Sequence, residues 1–168
     1  MMRSDLGIGG ARLPRAREIR DTLVGLLGRK VEVSPGDPFS GAVPGGAAFA
    51  VYVDERMRTR AVAVVDLALC ARTGAAIGLV PVHAADAAVA DGSLPDQLRE
   101  NVVEVLNVLT GVLNDDRHVH VRLHAVHHVG DFLPNDVPAV AAVLGRRLDL
   151  EVDIAAYGDG RLSFVVLD

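Results

Sequence analysis

The segment from Glu100 to Gly111, ENVVEVLNVLTG, contains the residues whose types and spacing best suit chemistry. Glu100, Glu104, Asn107 and Gly111 follow one another at steps of four, three and four, which places them along one line of a helix. Glu104 and Asn107 lie one turn apart, so both side chains can reach the same partner. A carboxylate can bind an incoming lysine, and an amide can hold and orient a water molecule because it both donates and accepts hydrogen bonds.

The composition of this line leaves two interpretations open. Asparagine and glycine are poor helix formers, and an ordinary solvated face more often has Lys, Arg, Glu and Gln. Asparagine at 107 and glycine at 111 favour the interpretation that another molecule approaches this face, where a glycine leaves room because it has no side chain. A polar helix face with no catalytic role is the alternative on the pattern alone. A di-iron bundle is not expected, because the sequence has no Glu-x-x-His motif.

A run of histidines forms a second candidate site. Alternation along residues 118–130 places three imidazoles on one face of a half-buried strand, with Arg122 between them: His118, His120 and His124. Two more histidines follow at positions 127 and 128. Imidazoles at i and i+2 can chelate a metal when further ligands converge. The intervening arginine is unfavourable for a cation, so we predict that this strand binds no metal.

Composition limits the classes of function. The 168 residues suffice for one domain with a core, and because 50% are hydrophobic but only 4% aromatic, that core is built from Val, Leu and Ala. The formal net charge of -5 argues against nucleic acid or an anionic membrane as the main partner. No apolar run is as long as a membrane span. The lone cysteine, Cys70, excludes an internal disulfide, fits a reducing cytoplasm and is expected to be a buried, inert thiol.

Local signals divide the first two thirds of the chain. Residues 15–27 have helical spacing and are followed by Gly28, a common helix terminator. Residues 47–66 contain two β-branched runs around a polar turn, which predicts a hairpin with Asp66 capping the next helix. HAADAAVADG is expected to be a helix or a helical turn. The longest helical pattern predicts a single helix over 94–114, beginning near Ser93 or Pro95.

The remaining segments complete an α+β domain. The stretch DFLPNDVPAVAAVLG fits either a loop or a short helix. The closing segment, RLDLEVDIAAYGDGRLSFVVL, predicts two strands joined by a turn at the Gly-Asp-Gly of residues 158–160. We therefore predict a loose leader over 1–14 and a single domain over 15–168, in which long helices cover an antiparallel sheet. No second hydrophobic core is evident.

The order of these segments resembles the CheC/CheX/FliY phosphatases of bacterial chemotaxis. In that family, an acidic or serine residue lies four positions before a Glu-x-x-Asn motif on a long helix, as Glu100 does before Glu104 and Asn107 here. LGRKVEVSPGDP is similar to the end of the family's first helix and the segment after it. FAVYVDERMRTRAVAVVDLALCARTGAAI is similar to its strand–strand–helix unit, and LEVDIAAYGDGRLSFVVL to its terminal hairpin.

The resemblance covers residues 15–168 and is nearest to the CheX branch, because CheC characteristically has two such helices and this chain has one. Two positions depart from the family. Glu100 replaces the usual Asp or Ser, a change that keeps the acidity. The family also tends to have a proline 23 residues after the asparagine, where this chain has Gly130; its next proline is Pro134.

The resemblance implies a function and a partner. Family members hydrolyse the aspartyl phosphate of a CheY-type response regulator, which supplies its own Mg²⁺ and lysine. In this chain Asn107 would position the water, Glu104 would bind the partner's lysine, and Glu100 and Gly111 would support the site, with no cofactor of the chain's own. Pairing through sheet edges, as in CheX-like proteins, predicts a homodimer.

Two further interpretations remain open. The same fold could be a catalytically inactive dimeric interaction or sensing module that kept the helix and lost the activity. A histidine-face metal sensor is a third and weaker reading.

Overall fold

The alternating and helical segments of the chain form one antiparallel sheet with helices packed on it. The structure, a computed structural model, describes residues 10–43 and 45–168. Its elements are α1 (Ala16–Leu27), β1 (Val31–Pro35), β2 (Ala47–Val53), β3 (Thr59–Asp66), α2 (Leu67–Ile77), α3 (Val82–Asp91), α4 (Asp96–Val108), a 3₁₀ turn (Leu109–Leu113), β4 (Arg122–His127), α5 (Asp136–Ala141), β5 (Arg147–Ile154) and β6 (Gly158–Val166). The strand order is β1-β5-β6-β3-β2-β4, with every pairing antiparallel. The predicted α+β class is confirmed.

Apolar side chains fill both faces of the sheet. The larger core lies where the helices α1, α2 and α4 pack on one face. A smaller apolar cluster lies on the opposite face, where α5 contacts β3 and where Phe39 and Phe49 are buried. Because β2 has neighbours on both faces, all seven of its residues are buried. This second cluster was not evident in the sequence, because its members are scattered between residues 39 and 141.

Local capping signals set the helix ends as predicted. Gly28 ends α1 in the left-handed conformation, with φ of 65°, and its N–H donates to the Val24 carbonyl. The Asp66 carboxylate accepts the Leu69 N–H at 2.9 Å and caps α2, which follows β3 directly. The predicted hairpin is also present, as β2 paired with β3. None of the helices in the part of the chain that the structure describes is long and apolar enough to cross a membrane.

The turn of the closing hairpin is not where we predicted it. The chain reverses at residues 155–157, where the Tyr157 N–H donates to the Ile154 carbonyl, and Gly158 already belongs to β6. The glycines serve the packing of α2 on this strand instead. A Cβ at Gly160 would lie 2.5 Å from the Leu69 Cβ, so any larger residue would push α2 away.

The N-terminal end of the described chain packs on the domain. Residues 1–9 of the predicted leader lie outside the described residues. Ala11 is fully buried, and its N–H donates to the Leu167 carbonyl at 3.1 Å. Arg12 is paired with Glu18 at 2.8 Å. Ala11 and Arg12, at the end of the predicted leader, therefore contact the rest of the domain.

Candidate active site

The helix α4 presents the predicted polar line to solvent. Glu100, Glu104 and Asn107 are exposed on α4, and Gly111 is exposed just beyond it. The predicted single helix over 94–114 needs correction, because the α-helix begins at Asp96 and changes to a 3₁₀ turn at Leu109. Gly111 therefore lies in the 3₁₀ turn. A Cβ added there would meet no atom within 4 Å, so packing within the chain does not require glycine at this position.

A buried tyrosine of the sheet is bonded to the last turn of α4, next to the change of helix type at Leu109. The Tyr52 hydroxyl donates to the Leu106 carbonyl at 2.8 Å. In a continuing α-helix that carbonyl would accept the N–H of residue 110. Burial raises the pKa of Tyr52, so its hydroxyl stays protonated and remains a donor. The bond joins β2 to the last turn of α4.

Two further side chains hold α4 and its 3₁₀ turn in place. The Asn101 amide donates to the Gly74 carbonyl of α2 at 2.8 Å, at a point where a Cβ on Gly74 would lie 3.0 Å from the Leu98 carbonyl oxygen. The Arg12 guanidinium donates to the Val112 carbonyl at 2.7 Å, which satisfies a helix-end carbonyl and places a cation at the negative end of the helix dipole. Sequence reasoning missed both anchors, because each depends on a partner far away in the chain.

Asn107 differs from the two asparagines nearest to it. Asn101 bonds to α2, and Asn114 both donates to the Val121 carbonyl and accepts its N–H, at 2.9 and 2.8 Å. Within residues 10–43 and 45–168, neither the Asn107 amide nor the Glu104 carboxylate forms a side-chain hydrogen bond with another residue. Both groups therefore lie on a rigidly held helix with their hydrogen-bonding capacity free for a second molecule.

An open groove runs beside these two side chains. It has a volume of about 350 Å³ and lies between α4 and the edge strand β4. Val103, Glu104 and Asn107 line one side, and residues 123–126 line the other. The groove is apolar at Val103 and along most of β4 but polar at Glu104 and Asn107. This arrangement suits docking of a protein surface with a few directed polar contacts.

A β-bulge places a histidine in the same groove. Val51 pairs with Ala125, whereas its neighbour Tyr52 pairs with Leu123, so His124 has no partner on β2. The bulge breaks the alternation of the strand and turns the exposed His124 toward the groove. The predicted strand over 118–130 is therefore shorter, and its histidines do not share one regular face. His118 lies outside β4, within 2.8 Å of Asp115.

The geometry of the histidine segment offers little to a metal ion. No group of three or more His, Cys, Asp or Glu side chains is placed to hold one in the described ranges 10–43 and 45–168. The hydrogen bond from His118 lowers the pKa of Asp115, and burial lowers the pKa of His128. His118 is thus engaged in a local turn contact.

The loop after β4 is tied to α4 by Asp131. Its carboxylate pairs with Arg99 of α4 at 2.6 Å and accepts the His128 N–H at 2.9 Å. Its own N–H donates to the His128 carbonyl at 3.0 Å, which closes a turn with Gly130 at φ of 88°. Proline cannot adopt this φ, so the loop must differ locally from one with proline at this position. Phe132, which follows Asp131 in this loop, is 85% exposed.

Comparison with known proteins gives the fold its name. No protein-family profile and no curated protein sequence matches the chain. Among solved structures, the FliM middle domain from Vibrio alginolyticus superimposes with a TM-score of 0.60 and 11% identity, over 90% of this chain and 87% of that one. The fold is CheC-like. The FliM middle domain from H. pylori gives a TM-score of 0.55 and 11% identity, over 90% and 84% of the two chains.

A third match is FliM in the FliM–SpeE complex from H. pylori, with a TM-score of 0.58 and 10% identity over 90% of this chain and 80% of that one. At such low identities, these TM-scores show a shared fold alone. They support a fold of the CheC/FliM/FliY type, in agreement with the predicted CheC/CheX/FliY resemblance, and do not single out the CheX branch.

Proposed function

We propose that this chain is a phosphatase of the CheX branch that hydrolyses the aspartyl phosphate of a CheY-type response regulator. The observation that carries the proposal is that the Glu104 and Asn107 side chains form no hydrogen bond with other residues that the structure describes. Both are exposed, one turn apart, on a helix anchored to the sheet and to α2, and neither is used within the described domain. A helix-weakening asparagine without an intramolecular partner is better explained by an intermolecular one.

The proposed chemistry requires little of this chain. An aspartyl phosphate is already labile, and the regulator contributes Mg²⁺ and a lysine at its own active site. The Asn107 amide would hold a water molecule in line with the phosphorus. The water oxygen forms a new bond to phosphorus while the bond from phosphorus to the aspartyl oxygen breaks, and the water proton passes to the released phosphate. The products are a free carboxylate and inorganic phosphate, and no cofactor of the chain's own takes part.

Glu104 has a docking role in this proposal. Its carboxylate would bind the partner's active-site lysine and thereby fix the angle at which Asn107 enters. Glu100 adds negative charge one turn earlier, and Gly111 leaves open space beyond the asparagine. The groove between α4 and β4 would receive the surface around the regulator's active site. A cytoplasmic location and a homodimer are part of the same proposal.

A second candidate function is an inactive interaction or sensing module. One observation favours it: the FliM chain that shares this fold was solved in a complex with SpeE. The exposed Phe132 and the apolar part of the groove would suit protein binding without catalysis as well. Under this alternative the partner would bind at α4, and its phosphate would be lost no faster than without this chain.

One assay separates the two candidates. Purified CheY-type regulators are phosphorylated with a small phosphodonor, and phosphate release is followed with and without wild-type protein. The phosphatase proposal expects acceleration, a loss of association in Glu104→Ala, and a loss of rate in Asn107→Ala. Asn135→Ala is the matched control, since it removes an exposed amide that caps nothing at the start of α5. Binding without acceleration would overturn the phosphatase proposal in favour of the module.

A further inference from the structure

The last turn of α4 is held by a residue of the sheet, and we propose that this residue, Tyr52, is a positioning residue for Asn107. The inference rests on the proposed phosphatase function and names a determinant of the same site. Tyr52 is one of two tyrosines in the chain and is the last but one residue of β2, between Val51 and Val53. Its hydroxyl is the polar group of β2 that reaches α4.

The contact acts on the backbone next to Asn107. The Tyr52 hydroxyl donates to the Leu106 carbonyl oxygen at 2.8 Å, and the Tyr52 side chain is fully buried. The carbonyl of Leu106 and the N–H of Asn107 belong to one peptide unit, which is planar and includes the Asn107 Cα. The hydroxyl therefore fixes the plane from which the Asn107 side chain projects.

The position of Tyr52 in the sheet makes this support rigid. Its strand is paired on both sides, with β3 and β4, and every residue of β2 is buried. Its ring packs near Phe164 of β6, with the ring centroids 6.4 Å apart. On the other side of the bond, α4 ends its α-helical hydrogen bonding at Val108. Without the hydroxyl, the Asn107 peptide would lie at a change of helix type with no tertiary hydrogen bond to define it.

Catalysis by a positioned water depends strongly on how precisely the amide that holds the water is itself positioned. A displacement of about 1 Å in a positioning group can lower a rate by about a hundredfold. Glu104 lies on the regular part of α4, three residues after Asn101, whose amide bonds to Gly74 of α2. We expect loss of the Tyr52 hydroxyl to act on the rate at saturation and not on docking of the partner.

The test compares two variants with the same chemical change. Tyr52→Phe removes the hydroxyl and keeps the ring in the core. Tyr157→Phe removes the hydroxyl that donates to the Val80 carbonyl at 2.6 Å, between α2 and α3 and away from α4. Phosphate release from a phosphorylated regulator gives kcat and KM for each. We expect kcat to fall about tenfold in Tyr52→Phe with KM unchanged, and both constants to stay at wild-type values in Tyr157→Phe.

A second measurement does not depend on catalysis. Amide hydrogen exchange over residues 104–110 should be about tenfold faster in Tyr52→Phe than in wild type, which corresponds to the loss of one hydrogen bond. Tyr157→Phe should leave this segment unchanged. Unchanged exchange, or equal kcat in Tyr52→Phe and wild type, would overturn the positioning role alone. A wild type that releases no phosphate from any regulator would overturn the proposed function, and the positioning role with it.

Discussion

Replacement of Gly130 tests whether its left-handed backbone conformation is needed for the loop that packs beside α4. Gly130 has a φ of 88°, and a Cβ added there would meet no atom within 4 Å. Gly130→Ala therefore suffers only the backbone cost of the left-handed region, about 1–2 kcal/mol. At this chain length, that corresponds to a fall in Tm of about 2–8 °C.

Gly130→Pro should cost more. Proline fixes φ near about -65°, so the turn cannot close. The loop would lose the Asp131 N–H bond to His128, the His128 N–H bond to the Asp131 carboxylate, and the pairing with Arg99. Two hydrogen bonds and one ion pair, whose side chains are 32% and 36% exposed, together contribute about 2–3 kcal/mol.

The assay is urea denaturation of wild type and both variants, with Gly111→Ala as the matched control. We expect the free energy of unfolding to fall in the order wild type, Gly130→Ala, Gly130→Pro. A proline variant as stable as wild type would refute this account of the loop.

Three further outcomes are expected. Gly111→Ala should leave the free energy of unfolding unchanged or raise it by up to about 1 kcal/mol, since the added methyl meets nothing, while it weakens binding of the regulator measured by titration. The hydrogen bond from Arg60 holds the pKa of Asp54 at about 2. The ionised carboxylate therefore stabilises the fold above about pH 4, and this stabilisation is lost as the pH falls toward 2. In thermal melts, Asp54→Asn should make the fall in Tm between about pH 4 and pH 2 smaller than in wild type. Thermal melts with and without a strong chelator should coincide, because a metal bound only to the folded chain would stabilise it.

Features with local causes could be predicted from the sequence. The end of α1 follows from Gly28 in the left-handed conformation, and the start of α2 from the Asp66 carboxylate, each within four residues of its partner. The exposure of Glu104 and Asn107 follows from the buried face of the same helix, because helical periodicity alone separates the two faces.

Features that depend on contacts between distant parts of the chain could not be predicted from the sequence. The last turn of α4 is bonded to Tyr52, which lies 54 positions before Leu106, and the 3₁₀ turn is bonded to Arg12, which reaches Val112 from the N-terminal segment. The glycine at 160 suggested a turn, but its requirement comes from the approach of Leu69. The bulge at His124 arises from pairing with β2, and strand alternation carries no sign of it.

The most direct test of the central claim is the rate of phosphate release from a phosphorylated regulator at saturation, compared between wild type and Asn107→Ala. Alanine is the better helix former, so this exposed variant should be as stable as wild type or more stable by less than about 1 kcal/mol. Its kcat should nevertheless be lower by about a hundredfold, because the amide that positions the water is gone. A kcat for Asn107→Ala equal to that of wild type would contradict the catalytic assignment.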